Sequence, residues 1–274
     1  MPRRVVVTGA GGQLGRRLAE VFSLAGDEAL ALTHAELELA SGAGLSRIRA
    51  WHPDVVVNAA AWTDVDGCAR DPERARVVNG NGAGALARAA AAAGALVVQV
   101  STNEVFDGAA ARPYHEDDAP NPINPYGASK LLGEQLVAKA TGHHLIVRTA
   151  WLYDAERMSG FPSRIRGAAE RSHAEGRPLR VVDDEWGNPT PVAWLASAIH
   201  ALVNMDVRGV IHAAGEPATT RWEWAAHVLR GSGRRIERMR LADFQRASRV
   251  PRRAVLDVSR LRSLGVEIAD WRRS

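Results

Sequence analysis

Residues 4–15 of the chain read Arg4-Val5-Val6-Val7-Thr8-Gly9-Ala10-Gly11-Gly12-Gln13-Leu14-Gly15. The β-branched run that precedes the glycines is typical of a buried strand. After the glycines, Leu14, Leu18 and Phe22 recur at the spacing of one helix face. A strand, a glycine turn and a helix in this order predict a phosphate site, because backbone N–H groups and the helix dipole face the anion.

Each glycine of the Gly-x-x-Gly-x-x-Gly pattern has a separate predicted role. Gly9 permits the sharp turn, Gly12 lets the backbone approach a pyrophosphate, and Gly15 lets the helix pack closely. Gln13 and Leu14 lie between them on the first helical turn. The spacing differs from the commonest dinucleotide fingerprint, but its position between strand and helix predicts a dinucleotide-binding turn.

Composition excludes several classes of protein. The chain has 274 residues, 46% of them apolar, with one cysteine and a net charge of +4. Acids and bases are mixed in most segments, so nucleic-acid binding is not expected. No run approaches the ~20 apolar residues of a membrane span. We therefore predict a cytoplasmic protein without internal disulfides, secretory leader or membrane segment.

The end of the second predicted strand bears on the choice of cofactor. This strand covers residues 29–32 and is followed by Thr33 and His34. An NAD-type site places an acid here to hold the ribose diol. Because no acid occupies this point, and Arg16 or Arg17 could reach a 2′-phosphate, the sequence favours NADPH, with NADH as the alternative.

Two further strands end in residues suited to a cofactor crevice. Residues 55–58 lead into Ala59, Ala60 and Ala61, whose small side chains leave room for a flat ring. Residues 96–101 form a nearly continuously apolar strand, and the Thr102 hydroxyl that follows it could bind a substrate carbonyl. Between them, residues 71–93 favour a helix with a break at the glycines of 80–82.

The segment Asn124-Pro125-Tyr126-Gly127-Ala128-Ser129-Lys130 predicts the start of a helix, with Asn124 as its cap. Tyr126 and Lys130 then share one face. Lys130 is one of only two lysines among 35 basic residues, which argues against a chance pairing. An adjacent ammonium lowers a phenol pKa, so we expect Lys130 to make Tyr126 a usable acid or base.

These elements predict an α/β protein with a doubly wound, Rossmann-type parallel sheet. Residues 1–150 would bind the dinucleotide. Residues 151–274 would form mainly a small, discontinuous substrate lobe, with some segments returning to the sheet. The histidines show no spacing typical of metal ligands, so no metal is predicted.

Six motifs, in this order along the chain, resemble the dTDP-4-dehydrorhamnose reductase family of extended short-chain dehydrogenases/reductases. They are Thr8-Gly9-x-x-Gly12-Gln13-Leu14-Gly15, Asn58-Ala59-Ala60-Ala61-Trp62-Thr63-x-Val65-Asp66, Ser101-Thr102-x-x-Val105-Phe106-Asp107-Gly108, Tyr126-Gly127-x-Ser129-Lys130, Arg148-Thr149-x-Trp151 and Asp184-x-x-Gly187-Asn188-Pro189-Thr190.

The resemblance implies an oxidoreductase of dTDP-rhamnose biosynthesis that reduces the C4 ketone of dTDP-4-dehydro-L-rhamnose with NADPH. It assigns catalysis to Thr102, Tyr126 and Lys130, with Lys130 also holding the nicotinamide ribose. The remaining assignments are Thr63 to the cofactor, and Val65, Asn103, Glu104, Trp151 and Asn188 to the substrate.

Asn103 and Glu104 depart from the family, which usually carries Asp-Tyr at these positions. The departure keeps open a related NDP-4-keto-deoxysugar reductase with another sugar preference. A non-catalytic, nucleotide-binding regulatory subunit is the alternative from another class. The acidic interface metal site of some family members cannot be traced in this sequence, so the expected state is a metal-free monomer or homodimer.

Overall fold

The computed structural model describes residues 2–273. Their strands are β1 (Arg4–Thr8), β2 (Glu28–Leu32), β3 (Val55–Asn58), β4 (Leu96–Thr102), β5 (His144–Thr149), β6 (Leu152–Tyr153), β7 (Leu179–Val182), β8 (Trp186–Gly187), β9 (Thr190–Pro191), β10 (Gly209–His212), β11 (Thr219–Thr220) and β12 (Ile236–Met239).

The α-helices are α1 (Gln13–Leu24), α2 (Leu45–Trp51), α3 (Val65–Arg70), α4 (Pro72–Ala75), α5 (Ala83–Ala91), α6 (Pro125–Ala140), α7 (Phe161–Ala174), α8 (Val192–Asn204), α9 (Arg221–Val228) and α10 (Ser259–Ser263). A π-helical segment covers Arg76–Gly82, and 3₁₀ turns cover Asn103–Val105, Leu241–Asp243 and Trp271–Arg273. None of these helices is long and apolar enough to cross a bilayer.

The central sheet has six parallel strands in the order β10-β5-β4-β3-β1-β2. Alternate residues of β1 enter two separate cores: Val5 and Val7 pack with α1 and α8, whereas Val6 packs on the α5 side. Because both faces are covered, the central strands are mainly apolar. The predicted doubly wound α/β fold is confirmed, and its crevice lies where the strand order reverses between β1 and β3.

The predicted helix break at residues 80–82 is wrong. The chain continues through α4, the π-helical segment and α5 without leaving a helical path. The glycines serve close packing: a Cβ on Gly80 would lie 2.5 Å from the Leu132 side chain, and one on Gly82 would lie 2.6 Å from the Leu39 carbonyl. A neighbouring element takes the space that a side chain would need.

The later part of the chain builds a smaller layer beside the sheet. β12 pairs in parallel with β7, and α7 and α9 pack on them. Ile165, Val181 and Leu229 are buried at the centre of this cluster. β10, by contrast, joins the edge of the central sheet beside β5.

Candidate active site

A cleft of about 710 Å³ opens at the carboxyl ends of the central strands. Two walls face each other across it. The sheet wall consists of Gly12, Gln13, Leu14, Gly15, Ala59, Ala61, Thr63, Val65, Val100, Ser101, Thr102, Asn103, Glu104, Tyr126 and Lys130, and the lobe wall of Trp151, Leu152, Ser159, Gly160, Phe161, Ser163, Arg164, Arg221 and Trp224.

The glycine turn of the sheet wall has the geometry that its sequence predicts. Gly9 has a φ of +69°, in the left-handed region, and its carbonyl accepts a hydrogen bond from Gly12 N at 2.9 Å. A Cβ on Gly15 would lie 2.2 Å from that same carbonyl. No side chain caps α1 and no acid lies in its first turn, so the first N–H groups are available to an anion.

A buried polar chain connects the strands that carry the sheet wall. The Thr8 hydroxyl donates to Asn58 Oδ1 at 2.7 Å, and Asn58 Nδ2 donates to Gln99 Oε1 at 2.8 Å. All three residues are buried. Buried polar side chains need partners, and these satisfy one another across β1, β3 and β4.

Tyr126 lies at the start of α6, where Asn124 caps the helix as predicted by accepting a hydrogen bond from Gly127 N at 2.8 Å. The phenol is buried in the same cleft as the Thr102 hydroxyl. Burial, followed by the charge of Glu104, raises the pKa of Tyr126, and the interaction with the Thr102 hydroxyl opposes this. The phenol is therefore protonated at neutral pH.

Lys130 also lines the cleft, but it is not among the groups that shift the pKa of Tyr126. The pKa of Tyr126 therefore lies above its ordinary value and not below it as expected, because burial is the largest influence on it. The Lys130 ammonium donates to the Val100 carbonyl at 2.7 Å, and its side chain is only 4% exposed. Burial lowers the pKa of Lys130 to about 8, against the opposing charge of Glu134.

Glu134 anchors α6 to the two strands beneath it. Its carboxylate accepts from the Ser101 hydroxyl and forms a two-pronged ion pair with Arg148, the shorter contact being 2.7 Å. The side chains of Glu134 and Arg148 are each 4% exposed. Sequence reasoning did not find this pair, although Glu134 follows Lys130 by one helical turn, a spacing at which side chains interact.

Asn79, in the π-helical segment, ties the loop after β3 to α6. Its amide accepts from Trp62 N at 2.8 Å and donates to the Trp62 carbonyl and to the Ser129 hydroxyl, both at 3.0 Å. The Ser129 hydroxyl in turn donates to the Tyr126 carbonyl at 2.7 Å. Asn79 thus supports the backbone that carries Tyr126.

The lobe wall combines aromatic rings with guanidinium groups. Trp151 has a φ of +43°, its ring is stacked on Trp224, and the Arg221 guanidinium lies 3.6 Å from the Trp151 ring centroid. Arg221 also pairs with Glu185 at 3.0 Å. Burial and then the charge of Arg221 lower the pKa of Arg164. Neither arginine stood out in a chain rich in arginine.

Three other predicted site residues do not line the cleft. Gly9 is covered by Ala59 and Ala60, since a Cβ on Gly9 would lie 2.7 Å from Ala60 N. Ala60 N donates to Asn58 Oδ1 at 3.2 Å. Asn188 is buried, donates to the Gly215 carbonyl at 3.0 Å and accepts from Leu256 N at 2.9 Å, so its amide crosslinks loops.

The residues considered for the cofactor phosphate lie near the end of β2 and on α1. Arg17 pairs with Glu20 and Glu156, whereas Arg16 is exposed. The Glu36 carboxylate folds back onto Thr33, accepting from its backbone N–H at 2.9 Å and its hydroxyl at 2.8 Å. An acid thus lies close to this strand end although it is absent from the end itself.

Taken together, the sheet wall offers uncapped N–H groups beside a buried phenol and hydroxyl, and the lobe wall offers two cations. This arrangement suits proton donation to a carbonyl that is reduced by a dinucleotide, on a substrate that carries negative charge.

Comparison with known proteins agrees with this chemistry. The family model for the RmlD substrate binding domain matches residues 3–274. The chain is 43% identical over 242 residues to a dTDP-4-dehydrorhamnose reductase of Mycobacterium tuberculosis (strain CDC 1551 / Oshkosh), covering 86% of this chain and 78% of that protein. It is 34% identical over 232 residues to a dTDP-4-keto-6-deoxy-D-glucose reductase of Streptomyces niveus, covering 84% and 79%.

Among solved structures, the dTDP-4-dehydrorhamnose reductase of Bacillus anthracis str. Ames in complex with NADP superposes with a TM-score of 0.90 at 29% identity, covering 100% of this chain and 97% of that one. The match extends over both walls of the cleft. The chain belongs to the dTDP-4-dehydrorhamnose reductase family.

Proposed function

We propose that this protein is an NADPH-dependent oxidoreductase that reduces the C4 ketone of dTDP-4-dehydro-L-rhamnose to dTDP-L-rhamnose. The observation that carries the proposal is the buried Tyr126 phenol, which lines the same cleft as Thr102, Lys130 and the glycine turn. The relatives named above act on dTDP-linked keto sugars, and one is in complex with NADP.

The residues of the sheet wall fit a dinucleotide. The first-turn N–H groups at Gln13, Leu14 and Gly15 would hold the pyrophosphate, and Ala59 and Ala61 would leave room for the rings. When bound, NADPH supplies the hydride. Lys130, one helical turn after Tyr126 and in the same cleft, would hold the nicotinamide ribose, and Thr63 would border the cofactor.

Tyr126 would give its hydroxyl proton to the ketone oxygen as that oxygen becomes an alcohol. Burial keeps the phenol protonated at neutral pH, which suits an acid. The Thr102 hydroxyl would hydrogen-bond the same oxygen. Donors held in place before the reaction stabilise developing negative charge, and removing one of them typically costs ~3–4 kcal/mol of barrier.

The lobe wall would bind the nucleotide-linked sugar. Arg164 and Arg221 line the cleft and would bind the diphosphate of the nucleotide sugar, since guanidinium groups pair well with phosphate oxygens. Trp151 offers a ring face for the sugar, with Val65, Asn103 and Glu104 across the cleft. Residues 1–150 would thus bind the dinucleotide and residues 151–274 mainly the sugar nucleotide. We propose that the enzyme acts in the cytoplasm as a monomer or homodimer.

A second substrate is favoured by one observation: Glu104 places a carboxylate in the substrate region, where the family usually has a tyrosine. A dTDP-4-ketohexose with another configuration is the candidate, as the name of the Streptomyces niveus relative illustrates. Rates of NADPH oxidation with each 4-ketohexose distinguish the two substrates. The regulatory-subunit reading predicts binding without turnover, and the presence of Thr102, Tyr126 and Lys130 disfavours it.

The test replaces Tyr126 with Phe, which removes one oxygen and keeps the ring. We expect kcat to fall by ~10²–10⁴, the usual contribution of a general acid, while NADPH still binds. Nicotinamide fluorescence titration measures the binding and loss of absorbance at 340 nm the turnover. Undiminished turnover in the Tyr126→Phe protein would falsify the assignment.

A further inference from the structure

Glu104 lies in the 3₁₀ turn that follows Thr102 and lines the cleft, and its charge acts on the Tyr126 phenol. The Asn124 amide donates to Glu104 Oε2 at 2.7 Å and also to the Arg249 carbonyl at 2.8 Å. Asn124 also caps α6, so one side chain fixes both Tyr126 and Glu104. Within residues 2–273, the other carboxylate oxygen, Oε1, has no hydrogen-bond partner.

The surrounding charges leave Glu104 without an ion pair. No basic group among residues 2–273 lies within 4.0 Å of its carboxylate. The two cations whose charges act on Glu104 have other carboxylate partners: Arg246 pairs with Asp66 at 3.1 Å and Arg221 with Glu185 at 3.0 Å. Burial raises the pKa of Glu104 to about 7; Glu185 adds to this, whereas the Asn124 hydrogen bond, Arg246 and Arg221 oppose it. Both protonation states are therefore populated near neutral pH.

A 4-ketohexose has C–H bonds on the two carbons next to its ketone. A base can remove such a proton when the ketone oxygen is held by hydrogen-bond donors, because the negative charge then moves onto that oxygen. Tyr126 and Thr102 are such donors. The reduction itself gives no role to a carboxylate beside them, since its proton comes from Tyr126.

We propose that Glu104 is a second catalytic residue: a general base that removes and returns a proton on a carbon adjacent to the ketone of the bound nucleotide-linked ketohexose. This proposal rests on the reductase function proposed above. The Glu104 carboxylate takes the proton, the C–H electron pair becomes a carbon–carbon double bond, and the ketone oxygen becomes an enolate held by Tyr126 and Thr102. The reverse step returns a proton from the glutamic acid, with no net oxidation or reduction.

Return of a proton by Glu104 to the same face restores the starting sugar, and a proton that has meanwhile exchanged with solvent leaves its isotope on that carbon. Exchange of the carbon-bound hydrogen, with the configuration retained, is therefore the reaction assigned to Glu104. A carboxylate that merely hydrogen-bonds a sugar hydroxyl would contribute to binding but would not exchange carbon-bound hydrogen.

The experiment incubates the enzyme with a dTDP-4-keto-6-deoxyhexose and oxidised NADP in D₂O near pD 7. Loss of the proton signals next to the ketone is followed by ¹H NMR, against a sample without enzyme. We expect the wild-type protein to accelerate the exchange well above that background. A wild-type rate equal to the background overturns the proposal, and this outcome needs no variant.

The Glu104→Gln variant keeps the shape of the side chain and an oxygen that can accept the Asn124 hydrogen bond, but it cannot act as a base. It therefore distinguishes a role of Glu104 as a general base from a role in binding the sugar only. We expect the ratio of exchange rate to NADPH-oxidation rate to fall by ~10²–10⁴. If both rates fall in the same proportion, Glu104 only binds or supports and the proposal is overturned. Glu170→Gln, an exposed carboxylate on α7, is the matched control and should leave the ratio unchanged.

The two proposals fail in distinguishable ways. Exchange without any NADPH oxidation would contradict the reductase function, whereas NADPH oxidation without exchange would contradict the role of Glu104 alone. Nicotinamide fluorescence titration of each variant checks that the sheet wall remains folded.

Discussion

The two walls of the cleft are built on different principles. On the sheet wall, backbone groups and short side chains are held by buried hydrogen bonds, such as those of Thr8, Asn58 and Asn79. On the lobe wall, large rings stack on one another and on a guanidinium: Trp224 lies against Trp151, and Arg221 against both Trp151 and Phe161.

The difference suits the sheet wall to holding the reacting groups and the lobe wall to binding the substrate. Hydrogen bonds have strict distances and angles, so the sheet wall can hold a phenol and a hydroxyl at one reacting atom. Stacked rings and guanidinium groups tolerate small displacements, which suits a ligand that varies in its sugar. Changes on the sheet wall should therefore cost far more than changes on the lobe wall.

The largest effect is expected from Gly15→Val on the sheet wall. Its Cβ would lie 2.2 Å from the Gly9 carbonyl, which forces the glycine turn away from α1. We expect loss of measurable NADPH binding in a fluorescence titration. Gly142→Val is the matched control, because a Cβ on Gly142, which is not part of the cleft lining, meets nothing within 4 Å, and this variant should bind NADPH as the wild type does.

The second-largest effect is expected from breaking the buried ion pair between Glu134 and Arg148, which lies beneath the sheet wall. Arg148→Met leaves the Glu134 carboxylate buried without its cation, which typically costs ~3–5 kcal/mol of unfolding free energy. The double variant Glu134→Leu/Arg148→Met removes both charges and should recover most of that loss. Urea denaturation of the three proteins measures this. Equal stability of Arg148→Met and wild type would contradict the assigned role of the pair.

The sheet wall could be predicted because its signals are local in the sequence. The glycine turn follows its strand directly, and Tyr126 and Lys130 lie one helical turn apart. What could not be predicted depends on environment: burial, which raises the pKa of Tyr126, comes from distant elements, and the π-helical segment replaced a predicted break because Leu132 and Leu39 fill the space beside its glycines.

A third effect concerns the pH dependence of stability through Lys130. Burial lowers the folded-state pKa to about 8 from an ordinary value of 10.5, so between these pH values the unfolded chain binds more protons than the folded one. Stability contributed by this site therefore rises with pH across that window. Urea denaturation between pH 7 and 10.5 should show the wild type gaining unfolding free energy relative to Lys130→Met. If the difference in unfolding free energy between the two proteins stays constant over this pH range, the lowered pKa of Lys130 is contradicted.

On the lobe wall, Arg221→Ala should have a smaller and more selective effect. Hydrogen bonds to charged groups are typically worth ~1.5–3 kcal/mol, so we expect KM for the nucleotide sugar to rise ~10–100-fold while NADPH affinity is retained. Arg234→Ala is the matched control, since Arg234 pairs with Glu170 on the exposed surface. An unchanged KM in the Arg221→Ala protein would remove Arg221 from the substrate site.

The lobe wall was largely beyond sequence reasoning. Arg164 and Arg221 lie on different helices, α7 and α9, and nothing in their local sequence distinguishes them from the many other arginines. Only Trp151 was found, through the resemblance. Asn188 is the opposite case, because its motif was recognised but the residue does not line the cleft. Its amide is hydrogen-bonded to the backbone of Gly215 and Leu256 within the fold.

The scarcity of lysine has a practical consequence for attaching probes or supports. Lys130 is buried, whereas Lys139, the other lysine, is exposed near the far end of the same helix. At 1.5 Å per residue, Lys139 lies ~20 Å along the helix axis from Tyr126. Amine-reactive dyes or resins should therefore couple to the lysine side chains at one site, well away from the mouth of the cleft, and immobilised enzyme should keep its turnover.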